Sequence, residues 1–60
     1  MEWISVKNQL PPQGKIVNTK IDDELGERNE QELILSGRLW WTDDMKMYVY
    51  YTPTHWKETK

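Results

Sequence analysis

The residues able to do chemistry are few. His55 is the one side chain whose ordinary pKa lies near neutrality, and so the one candidate general base or imidazole ligand. No cysteine and no second histidine accompany it, which removes thiolate zinc sites, cysteine nucleophiles and histidine pairs. General-base work needs an aligned partner. Asp43 and Asp44 fall on a predicted turn and do not supply one. His55 therefore reads as an imidazole that bonds a backbone group and packs beside Trp56. No Gly-rich phosphate loop is present, since Gly14, Gly26 and Gly37 stand alone. The expectation is a protein that is not an enzyme, with no catalytic residue, no cofactor and no metal.

Asp22, Asp23, Glu24, Glu27 and Glu30 offer oxygens to a hard cation, but they lack the alternation and central Gly of a calcium loop. Residues 22–32 carry six acids and one base, a charge of −5 against a whole-chain net of −2. The stretch reads as a solvated acidic loop that speeds encounter with a basic partner. With the excess charge negative, duplex DNA is not an expected partner.

Trp40 and Trp41 are adjacent, so in a strand they point to opposite faces. Placing Trp41 with Leu35 and Leu39 in the core leaves Trp40 on the other face with Arg38. Tyr48 or Tyr50 then lies across a hairpin. Trp, Tyr and Arg together are the composition of an interface hot spot and of a platform that stacks bases. Arg38, Trp40, Tyr48 and Tyr50 are the expected binding residues. Another protein or a second copy is the expected partner, and a small oligomer that sequesters a nucleotide or small molecule is the alternative.

These side chains have to be positioned by a short chain. Sixty residues make one domain, which buries only about 60% of its unfolded surface. Without disulfides, stability has to come from a dense apolar cluster or from oligomerisation. Four Trp and three Tyr argue for a folded aromatic cluster, although charged residues make up 30% of the chain.

The pattern is mainly β, a small antiparallel meander of three to four strands with an extended N-terminal arm. Residues 3–10 start with strand alternation, and Pro11-Pro12-Gln13-Gly14 make a turn. Residues 15–21 are β-branched and alternate. Residues 22–31 form the acidic loop, with room for a helical turn at Asp22–Leu25. Residues 32–42 are the strongest strand, bent or bulged at Gly37. Residues 47–52 form its hairpin partner. Pro53 interrupts, residues 54–56 are an edge piece, and 57–60 are a frayed polar tail. Trp3, Trp41 and Trp56 are expected to close the core. No run approaches the ~20 apolar residues of a membrane span. The start lacks the basic region of a signal peptide, and the lack of cysteine fits a reducing cytoplasm.

Trp3-Ile4-Ser5-Val6-Lys7, Leu10-Pro11, Gly14 and Val17, with Thr54-His55-Trp56 near the end, form a two-ended pattern. It resembles a small phage and prophage family catalogued as domain of unknown function 551. The chain departs from it in two places. Members commonly continue past the THW with an apolar, Pro-rich tail, where this chain has Lys57-Glu58-Thr59-Lys60. Asn8-Gln9 also stand before the LP, where members often carry an acid and a base. The resemblance implies a phage or prophage accessory protein in a bacterial cytoplasm, and it assigns no activity.

Overall fold

A computed structural model describes residues 2–59. Five strands, β1 (Ile4–Ser5), β2 (Ile16–Asp23), β3 (Gly26–Ser36), β4 (Leu39–Thr42) and β5 (His55–Glu58), form one antiparallel sheet. The spatial order is β1-β5-β2-β3-β4. The protein is therefore mainly β and antiparallel, as its alternation predicts. Strands β2, β3 and β4 are a meander. The chain then returns across the sheet and inserts β5 between β1 and β2.

One face of the sheet is covered. Val17, Leu33, Leu35, Trp40 and Trp56 form the buried cluster there, with Ile4, Val6 and Val49 packed against it. The cover consists of the N-terminal arm and the segment that follows β4. The Trp56 indole N–H donates to the Gln9 carbonyl at 2.8 Å and ties down the arm. Gln31 donates to the Tyr51 hydroxyl and ties down the return segment. Thr19, fully buried, donates its hydroxyl to the Gln31 carbonyl at 2.8 Å, so no buried polar atom is left unpaired at that point.

Several sequence expectations are corrected. The stretch 22–31 is solvated but is not a loop. Asp22 and Asp23 finish β2, and Gly26 to Gln31 begin β3. Only Glu24 and Leu25 turn. Both keep negative φ, Gly26 follows at φ 106°, and the Leu25 N–H donates to Asp23 Oδ1 at 2.9 Å. This is a type I turn closed by a left-handed glycine, with Asp in its favoured first position. Asn29, at φ 58°, supplies the extra residue where the β2–β3 register shifts, a bulge that suits the short Asn side chain.

Gly37 is not a bend within one strand. Gly37-Arg38 is the two-residue loop between β3 and β4, and only Gly37, at φ 66°, is left-handed. That is the geometry of a type II′ turn. It reverses the expected parity, because Leu35 now pairs with Trp40 and Ile34 with Trp41. Trp40 lies in the core, 4% exposed, and Trp41 lies on the opposite face. Residues 47–52 form a single bridge, Trp41 to Tyr48, before crossing the covered face. Lys57 and Glu58 belong to β5 rather than to a frayed tail, and Lys60 lies outside the described residues.

The hairpin of β2 and β3 contains its own counterions. Arg28 makes two bonds to the Asp23 carboxylate, at 2.8 and 3.1 Å. With the Leu25 N–H, these bonds hold the Asp23 carboxyl below its ordinary value of 3.8. Because the folded value is the lower one, this stabilisation is complete above 3.8 and is lost as the pH falls through the lowered value. The protection factors of the Leu25 and Gly26 amides, measured against their intrinsic exchange at each pH, are expected to fall on acidification below about pH 3.8 while Leu33 stays protected. Uniform loss of protection at all three amides would contradict this.

Candidate functional site

The open face of the sheet carries an apolar row that crosses three strands. Ile16 pairs with Ile34, Ile34 with Trp41, and Trp41 with Tyr48, so all four side chains stand on one face. Aromatic contacts extend the row. Trp41 and Tyr48 meet edge to face with centroids 5.5 Å apart, as do Tyr48 and Tyr50. Ile34 is buried beneath its neighbours, and Leu39 flanks Trp41 on β4. Tyr48 is 40% exposed and Tyr50 92%. Of the expected binding residues, Tyr48 and Tyr50 come together here and Arg38 is exposed on the adjacent turn. Trp40 is not part of the row and Trp41 takes its place. The Gly-X signal of a II′ turn at Gly37-Arg38 could have revealed this.

A second cluster on the same face holds Trp3. The Lys20 and Lys57 ammonium nitrogens lie 4.6 and 4.7 Å from its ring centroid. Lys20, only 6% exposed, also reaches Glu27 at 3.2 Å and Asp22 at 3.6 Å. A buried ammonium is sustained by such partners. Trp3 therefore rests on cations instead of closing the apolar core.

His55 lines an open cleft of about 370 Å³ with Ser5, Lys7, Asp22, Asp23 and Thr54. Its Nδ1 lies 2.8 Å from the Thr54 hydroxyl, which accepts the Asp22 N–H at 2.7 Å. The acids that share the cleft with His55 are Asp22 and Asp23, far away in sequence, and not Asp43 or Asp44. Asp43 and Asp44 follow β4. The Asp44 carboxyl is held below its ordinary value by the Thr42 hydroxyl and the Lys46 N–H. Among the described residues, no three His, Cys, Asp or Glu side chains are grouped to hold a metal ion. Among the described residues, no helix is long and apolar enough to cross a membrane.

The acidic and aromatic features do not form one site. Ile16 and Ile34 stand at one end of β2 and β3, and the Asp23–Gly26 tip stands at the other. Seven residue steps along β2 separate them, about 23 Å at ~3.3 Å each, in a molecule 30 Å long. Asp22, Asp23 and Glu27 are paired internally. Among the described residues Glu24, Glu30 and Glu32 make no ion pair.

Comparison of the chain with family models, curated proteins and solved structures gives no match.

Proposed function

We propose that this protein works by binding another protein, with the Ile16–Ile34–Trp41–Tyr48–Tyr50 face as its interface. The observation that carries the reading is the aromatic end of that row. Trp41, Tyr48 and Tyr50 stack edge to face on an open sheet face, and the outermost ring is 92% exposed. An exposed aromatic patch of this kind marks an interaction surface, and Trp and Tyr dominate interface energetics because each removes a large rigid area from water. A chain of 60 residues that leaves such rings outside its core holds them in a position where a partner can bury them. The resemblance to a phage and prophage family supplies the setting, an accessory protein whose target is a bacterial host protein. Glu30, Glu32 and the hairpin acids steer a basic rim of that target at long range.

Immobilised protein is expected to retain a specific band from bacterial lysate. Trp41→Ala should lose the band, and raising the salt from about 0.05 to about 0.5 M should thin it, because exposed charges are then screened. Equal retention by wild type and Trp41→Ala would sink the interface.

A further inference from the structure

We infer that in the free protein this face is covered by a second copy of the same chain, packed face to face about a two-fold axis parallel to the strands. The inference rests on the aromatic face being a protein interface and names its occupant before a target displaces it. Four observations favour the second copy.

The first is the small interior. One covered face and a cluster of five buried residues hold the chain, with no disulfide. A partner subunit is the usual remedy for a domain of this size. The second is area. The row and Leu39 leave on the order of 500 Å² of apolar and aromatic surface exposed. A standard interface takes about 800 Å² from each partner, of which roughly 60% is apolar. The patch therefore matches one half of a standard interface.

The third is shape. The row is low at Ile16, which is 38% exposed, and tall at Tyr50. An axis parallel to the strands reverses the row from side to side, so the tall end of one copy meets the low end of the other. Contact of this kind is isologous and closed, and it ends at a dimer. Edge pairing beyond β4 is already occupied, since Thr42 donates to Met47 and Val49 donates to Trp40, both at 2.9 Å.

The fourth is charge. Beside the row, Lys57 on β5, Asn18 on β2 and Glu32 on β3 stand in register, and Asp43 follows the end of β4. Among the described residues Lys57, Glu32 and Asp43 make no ion pair. The same axis brings the Lys57 side of one copy over the Asp43 side of the other. The two acidic hairpin tips stay at the far end of each β2–β3 pair.

Sedimentation equilibrium of the full chain from about 5 to about 500 μM tests this. The average mass is expected to rise from 7.3 kDa towards twice that value. Tyr50→Asp should raise the dissociation constant at least about tenfold with the circular dichroism unchanged, because a ring so exposed contributes little to the monomer fold. Asp43→Lys should weaken the dimer several-fold by setting like charges opposite each other. A mass that stays at 7.3 kDa overturns the second copy, as does a dimer indifferent to Tyr50→Asp. If that monomer still retains a lysate protein that Tyr50→Asp loses, the interface reading survives alone. If it retains nothing, both fall.

Discussion

Trp40→Ala will remove most of the protein's stability, and Trp41→Ala will leave most of it in place. Trp40 is buried against the cluster of Val17, Leu33, Leu35 and Trp56. Emptying such a site costs about 3–5 kcal/mol, the lost transfer energy plus the cavity left behind. At about 0.05–0.15 kcal/mol per residue, a chain of this length has only about 3–9 kcal/mol to lose. Trp41 is half-buried on the open face and its aromatic contact is with Tyr48. Its removal forfeits one edge-to-face pair and partial burial, about 1 kcal/mol. Urea unfolding followed by circular dichroism separates the two. The observation that would refute the assignment is a Trp40→Ala midpoint equal to or above that of Trp41→Ala.

The same pair of residues shows how much was legible in the sequence. Alternation identified the strand content and the antiparallel architecture, because β-branched and aromatic residues at a period of two have few other uses. It also separated Trp40 from Trp41. It could not say which of them faced inward, since that depends on whether Gly37 bends one strand or ends it. Two turn residues reverse the chain and restart the alternation, so a glycine that ends a strand and one that bends it give opposite assignments of core and surface. The acidic hairpin was hidden for a related reason. Glu27 and Arg28 have poor strand propensity, and they are held extended by pairing with Asp22 and Ile21 of β2 and by the turn at Asp23–Gly26.

Residues 47–52 present the opposite case. Tyr, Val and Thr give them high strand propensity, yet they make one bridge and then serve as cover. The chain has to recross the sheet to deliver β5, and Val49, Tyr51 and Pro53 do their packing on that path. Strand β5 itself, His-Trp-Lys-Glu, offers a single apolar residue. Its place near the middle of the sheet depends on partners on both sides, and no local pattern reports that. The cleft at His55 was unreadable for the same reason, because topology alone brings Asp22 and Asp23 to it.

The single apolar residue of β5 carries the other large effect. Trp56 opposes Thr19 on one side and Ile4 on the other, so it couples β2, β5 and β1. Its indole also holds the arm through the Gln9 carbonyl. Trp56→Ala is expected to cost about 3–5 kcal/mol and leave the fold marginal. Trp56→Phe is the more informative change. It keeps an aromatic ring in the cluster and removes the donor, leaving the Gln9 carbonyl to water. A lost hydrogen bond of this kind costs about 1 kcal/mol, and the smaller ring adds a cavity term of similar size. The loss should be local. Amide exchange is expected to speed up at Val6, Asn8 and Gln9, whose bonds run to Thr54 and Ser5. Protection at Leu33 and Leu35 should change only by the global destabilisation. Equal acceleration at Gln9 and Leu33 would show that the arm and the sheet unfold as one unit. In that case the indole bond would not be what fastens the N-terminal segment to the core.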